Sequence, residues 1–427
     1  MTTFESLIVP VLSVASYIVC LVLYCLDIRK RNPAALIWVG LAVLYVIPSF
    51  FDAGKSGYAA FQFGKLEFGP ADIVKAQFYA LCILLSILVV RLVVEKRVQD
   101  WTTFFDDVKV RSLSLTERFV YYVPFLVLLA LVLLSYRAMV DSGQGMGWES
   151  RREVLTGLDV ILMGLLFKLL AGFSLFWFLK RRYFDFVLQL LVYILAFFIL
   201  GGSRFYVVIV LLPLLIYWMS SSNSVKRFLI VTSSYIILST GMGVLRVLRF
   251  TPSLEGRLQL IMNPISTFSD VAKNFSGEGA VRFFYYAYVS GDAYMDSFFS
   301  LKYLIRTFLV FLPSAIAPFK PENFEYDMHY AASEKVATMH PTLFGAIYAD
   351  SKFLGLFWVF LIMFYFYIFP SLFKVKRSVS LIIIYGAICS SSLMLARGAI
   401  YGSIFGIFLL VLVVYLLERA SLLRVRK

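Results

Sequence analysis

FDFVLQLLVYILAFFILGGSRFYVVIVLLPLLIYWM, residues 184–219, is two apolar runs, 184–200 and 205–219, parted only by Gly201-Gly202-Ser203-Arg204. A helix rises about 1.5 Å per residue, so each run approaches the roughly 30 Å of a bilayer's hydrocarbon; both are far too long for barrel strands. Runs of this kind recur along the chain. Spans are expected near 6–26, 34–51, 73–94, 119–139, 157–179, 184–200, 205–219, 228–247, 353–373, 379–396 and 399–417, eleven in all. With 61% hydrophobic and 15% charged residues and a mean hydropathy of +0.84, the 427 residues lack the polar material for soluble domains. The expected fold is an all-α, polytopic integral membrane protein, with spans 1 to 8 over 1–247, a large outer loop over 248–352, and spans 9 to 11 with a tail over 353–427.

Basic residues are retained on the cytoplasmic side of short loops. One set of alternate loops carries 21 Lys and Arg, beginning with Arg29-Lys30-Arg31 and the segment Arg91 to Arg118; the opposite short loops carry six. This bias puts the amino terminus outside and the carboxyl terminus inside. The opening Met-Thr-Thr-Phe-Glu lacks a basic n-region, so the first run reads as a retained span and not a signal peptide. The net charge of +14 reflects basic loops against an anionic lipid surface and needs no nucleic acid to explain it. Cys20, Cys25, Cys82 and Cys389 all fall inside expected spans without framework spacing, so neither a disulfide nor a zinc site is expected, and no cofactor.

The outer side carries the chemistry. Gly201-Gly202-Ser203-Arg204 permits a tight turn with exposed N–H groups, suited to an anion. Standing alone, Arg204 would read as a side chain snorkelling to lipid phosphates. Arg246 and Arg249, three residues apart on one helical face, and Arg397 in Ala396-Arg397-Gly398-Ala399 lie on the same side. Guanidinium groups there run against the topological bias and match phosphate oxygens, so a phosphorylated, lipid-linked ligand at the outer boundary is expected.

The insert from Arg246 to Asp350 holds both histidines, His329 and His340. Counted from Arg246 to Lys352, ten Lys and Arg balance ten acids, which excludes a polyanion-binding patch. Aromatics are dense at Phe283-Phe284-Tyr285-Tyr286; rings can stack on sugars, though they also favour the headgroup level for their half-apolar character. Ser300 to Phe319, with Pro313 and Pro318, reads as an interfacial or re-entrant helix, since a twelfth span would move Lys374, Lys376 and Arg377 outside.

Gly-Ser-Arg between spans, an arginine pair ending a later one, Pro-Phe-Lys-Pro at 318–321, Pro-Thr-x-x-Gly-x-x-Tyr at 341–348 and an Arg-Gly-Ala turn together resemble a bacterial O-antigen polymerase of the Wzy type. The Asp-Phe-Gly usual after the tyrosine is replaced by Asp350-Ser351-Lys352-Phe353-Leu354-Gly355. The resemblance implies a multi-pass protein of the bacterial inner membrane that moves a growing glycan from undecaprenyl diphosphate onto an undecaprenyl-diphosphate-linked repeat unit at the periplasmic face. Such lipid-linked oligosaccharides and a chain-length regulator protein are the partners it implies, beside the membrane lipids. The residues fit that chemistry. Arg204, Arg246, Arg249 and Arg397, with Ser203, are candidate diphosphate ligands that meet charge on the leaving group without a metal. His340 is the first candidate for the base that deprotonates the acceptor hydroxyl, followed by Asp350 and His329. An ordinary hydrogen-bonded loop histidine is the other reading of His340. Tyr348 and Glu278 are candidates for sugar contacts.

Three alternatives remain. An O-antigen ligase shares topology and donor but differs in acceptor. A polyprenyl-monophosphate-dependent glycosyltransferase would typically carry a carboxylate pair in the first outer loop, where only Asp52 and Glu67 stand apart. A flippase or other transporter should place ionisable groups within spans, for which Lys75, Lys168 and Asp159 are the material.

Overall fold

The computed structural model describes residues 3–52, 61–63, 66–110, 115–141, 157–199, 205–221, 223–234, 340–368 and 378–419, with Met262, Arg282, Tyr285, Tyr286, Val289, Ile305, Leu309, Pro318 and Phe319. The architecture is helical. In chain order come α1 (Thr3–Arg29), α2 (Ala35–Leu41), a π segment (Ala42–Val46) and α3 (Ile47–Asp52). A two-stranded antiparallel hairpin, β1 (Phe61–Phe63) and β2 (Leu66–Phe68), occupies the expected first outer loop, with Gln62 opposite Glu67. Then follow α4 (Pro70–Val93), α5 (Thr102–Val110), α6 (Leu115–Asp141), α7 (Gly157–Leu179), α8 (Tyr183–Ile199) and α9 (Phe205–Met219), and a helical stretch over 224–234. Near the end lie α10 (Thr342–Ser351), a 3-10 turn (Lys352–Gly355), α11 (Leu356–Met363) running into a π segment (Phe364–Ile368), α12 (Ser378–Arg397) and α13 (Ile400–Arg419).

Five described helices are long and apolar enough to cross a membrane: Leu7–Arg29, Ala71–Val93, Arg118–Ala138, Leu162–Leu179 and Val379–Arg397. The chain is a membrane-embedded protein. Among these five, Val379–Arg397 is 83% buried and Arg118–Ala138 only 28%, so α12 is the axis of the bundle and α6 faces outward. Small residues let backbones close on that axis, as membrane helices require when lipid tails are as apolar as leucine. Gly172 of α7 and Gly386 of α12 meet backbone to backbone, and a Cβ on Gly40 of α2 would lie 2.7 Å from the Ala396 Cβ. The buried hydroxyls Ser390 and Ser392 return their protons to the Ala387 and Ile388 carbonyls, at 2.9 and 2.7 Å, and need no outside partner.

The start of α4 is written locally. Pro70 occupies the first turn, where its missing N–H is no loss, and Asp72 accepts the Gly69 N–H at 2.9 Å. Its far end is fastened differently. Arg91, expected at the edge of a solvated loop, is fully buried, with its Nε donating to Asp27 Oδ1 at 2.7 Å. Asp27 also accepts the Trp38 indole N–H at 2.6 Å and the Tyr367 hydroxyl, while Arg91 spans to Glu95 and lies 5.1 Å over the Tyr367 ring. Lys30 adds an ion pair to Glu95 at 3.0 Å. Burial pushes the Glu95 carboxyl up, but hydrogen bonds from Lys30 and Arg91, with their charges, win and hold it below its ordinary value. Charge therefore ties α1, α2, α4 and the last π segment together at the end where Arg29-Lys30-Arg31 lies.

The same end is closed by rings. Tyr385 of α12 packs against Trp101, Phe104 and Phe105, and Phe105 stacks on Tyr217 at 5.7 Å. A second polar clasp joins α6 to α8, where Asp185 takes the Arg182 Nε and the Tyr122 hydroxyl, each at 2.7 Å.

Candidate functional site

At the opposite end, two stretches far apart in sequence meet. His340 and Pro341 lead into α10, and the helix opens on Thr342 at φ +66°, a conformation a β-branched residue rarely adopts. The turn joining α12 to α13 presses on that residue. Gly398, at φ +111°, has no side chain, and a Cβ there would stand 2.7 Å from the Thr342 carbonyl oxygen. Arg397 and the start of α10 are thus brought to one turn, and the strained threonine is held by what surrounds it.

The rest of α10 is enclosed. Every residue from Pro341 to Asp350 is buried, so this end of the outer loop expected over 248–352 is a packed helix and not an open loop. The reason is the aromatic surround. Phe344 lies 5.2 Å from Tyr45, which also packs 5.4 Å from Tyr285. Gly345 leaves room for Pro341 and the edge of Tyr285. The Tyr285 hydroxyl donates to the Ala76 carbonyl at 2.8 Å, and burial raises that hydroxyl well above its ordinary range, keeping it a neutral donor. Tyr45 sits in the π segment that interrupts the second apolar run, a local widening that recurs at functional sites.

The far end of α10 is pinned to α4. Tyr348 meets Tyr79 edge to face at 5.2 Å, and the Tyr79 hydroxyl donates to the Lys352 carbonyl at 2.6 Å. Lys352 carries φ +42°, where the chain breaks α10 from α11. Lys75 of α4 stands 5.9 Å from the Tyr348 ring centroid.

Of the candidates from sequence, His340, Tyr348, Asp350 and Arg397 fall in this region: His340 and Arg397 are half-buried, Tyr348 and Asp350 almost wholly buried. Ser203, Arg204, Arg246, Arg249, Glu278 and His329 lie outside the described residues, as does most of Ser300 to Phe319. Two cations of note were not among the site candidates. Arg282, in the aromatic run that ends at Tyr286, is fully buried, and an arginine beside Phe-Phe-Tyr-Tyr was the available signal. Lys168 of α7 reaches α13, donating to the Gly402 carbonyl at 2.7 Å, with its stem lying over Gly406.

A guanidinium, an imidazole, a carboxyl and a phenol are thus distributed over α10, the residues leading into it and the turn against it. That set can hold an anionic group and move a proton. No family model, curated protein or solved structure matches this chain.

Proposed function

We propose that the chain polymerises lipid-linked oligosaccharide repeat units, transferring a growing glycan from undecaprenyl diphosphate to the incoming unit at the periplasmic face. The observation that carries this reading is the meeting of the Arg397-Gly398 turn with the Thr342 end of α10. Two motifs that looked separate in sequence are joined there, and one supplies a permanent cation while the other supplies His340, Tyr348 and Asp350. In the proposed reaction Arg397, together with Arg204, Arg246, Arg249 and Ser203, receives the diphosphate as its charge grows. His340 takes the acceptor hydroxyl's proton, with Asp350 and His329 next in line, and Tyr348 and Glu278 contact sugar. Eleven spans, an outer loop over 248–352, an inner bacterial membrane and a cytoplasmic carboxyl terminus belong to the same reading, as does a chain-length regulator as partner.

The test is reconstitution. Purified protein in detergent receives a synthetic undecaprenyl-diphosphate repeat unit, and the products are resolved by glycan length. A ladder that disappears in Arg397→Ala and His340→Ala supports the reading. Transfer of finished glycan to a lipid A core, with no ladder, would make the protein a ligase, and neither product would leave transport to be measured.

A further inference from the structure

The exposed face of α4 is a single stripe, Phe78, Cys82, Leu85, Val89 and Leu92 recurring at helical spacing, apolar at each of these positions. In a membrane-embedded chain such a stripe faces lipid tails. Lys75, also exposed, continues the same stripe one turn above Phe78. It lies five residues beyond Pro70, about 7.5 Å along the helix from its start, from where a lysine side chain can snorkel toward the headgroup level. Among the described residues no ion pair engages it. Its ammonium stands instead by the Tyr348 ring, which has no lone pair to take its three N–H donors.

Tyr348 joins this lipid-facing position to the candidate site, since it is 2% exposed and lies on α10 two residues before Asp350. Tyr79, one turn below Lys75 on α4, meets the ring edge to face at 5.2 Å and fixes the α10 terminus through the Lys352 carbonyl. A cation on the bilayer face and a rigid aromatic wall behind it form a place where a phosphate can arrive from the side with its hydrocarbon still in the membrane.

We propose that Lys75 is the lateral docking point for a phosphate borne on a polyprenyl chain, engaged before the headgroup passes over Tyr348 to the site at α10. The proposal rests on the functional reading above. The shared chemistry, a phosphate on a hydrocarbon anchor, also belongs to ordinary anionic phospholipid, so the experiment compares the two.

Full-length protein in detergent is titrated with undecaprenyl diphosphate and, separately, with phosphatidylglycerol, and binding is read by native mass spectrometry. Lys75→Met and Lys75→Gln should each weaken undecaprenyl diphosphate about tenfold, the loss of one charge-assisted contact, while Lys75→Arg restores it and phosphatidylglycerol is unaffected. Equal loss for both lipids makes Lys75 a bilayer anchor and overturns the proposal, as does unchanged undecaprenyl diphosphate binding in the Met and Gln variants. Wild-type protein that binds and extends the substrate, with variants that do the same equally well, removes Lys75 alone. Wild-type protein that binds no undecaprenyl diphosphate removes the functional reading and this proposal together.

Discussion

The two ends of the bundle use polar residues in opposite ways. At the basic end, the charges form closed sets: Asp27 receives Arg91, Trp38 and Tyr367, and Asp185 receives Arg182 and Tyr122. At the other end, α10 is held by rings and by the close approach of Gly345 and Gly398, Thr342 and Lys352 take positive φ, and the Lys75 ammonium stands beside the Tyr348 ring. A closed set of charges fixes helices but has no capacity left for a ligand. An aromatic frame holds its shape without consuming charge, and beside it the Lys75 ammonium is engaged by no ion pair among the described residues.

The contrast is most exposed at Arg91. Arg91→Ala leaves the Asp27 carboxylate buried without its countercharge and should destabilise the protein by about 3–5 kcal/mol, seen as a large fall in melting temperature in detergent. Adding Asp27→Asn should recover much of that loss; if the single variant melts like wild type, the basic end is no lock. Arg397→Ala is the counterpart at the other end. It should lower the melting temperature less than Arg91→Ala does, yet lower the rate of ladder formation by about 10²–10³, the effect of removing one donor to developing charge. Gly398→Ala lies between the two, since the new methyl meets the Thr342 carbonyl at an unfavourable φ; a loss of about 1–3 kcal/mol is expected, with slowed polymerisation in what still folds.

The smallest effect is with pH. The folded Glu95 carboxyl titrates below its unfolded value, so its stabilisation is complete above the unfolded value and fades as pH falls from there through the lowered folded one. Melting curves in acid should show a slightly flatter dependence for Glu95→Gln than for wild type, and only slightly, because Glu95 is 42% exposed. Identical curves would mean that Lys30 and Arg91 contribute nothing through that carboxylate.

Much of the helical frame could be read directly from the chain, because a bilayer demands long apolar runs and α1, α4, α6, α7 and α12 are written that way. The expected runs at 379–396 and 157–179 match Ser378–Arg397 and Gly157–Leu179 closely. What could not be read is set by distance in sequence. Arg91 looks like any loop base until its partner 64 residues earlier is known, and Tyr367 reaches Asp27 across 340 residues. The residues 341–350 fall within the outer loop expected over 248–352; they form a packed helix among Tyr45, Tyr285 and Gly398, a surround that no local propensity records. His340, Tyr348, Asp350 and Arg397 were legible as residue types suited to the chemistry, whereas their grouping around one turn required the fold.

The three donors of Asp27 also impose an order on biosynthesis. Of these four residues a ribosome delivers Asp27 first, Trp38 with the next helix, Arg91 at the end of α4, and Tyr367 last. Until α4 is made, Asp27 has the basic residues Arg29-Lys30-Arg31 near it in the chain but not the Arg91 guanidinium with which it is buried. α1 therefore completes its packing only after helices made much later, and a chain released before Tyr367 would lack one of the three donors that hold Asp27.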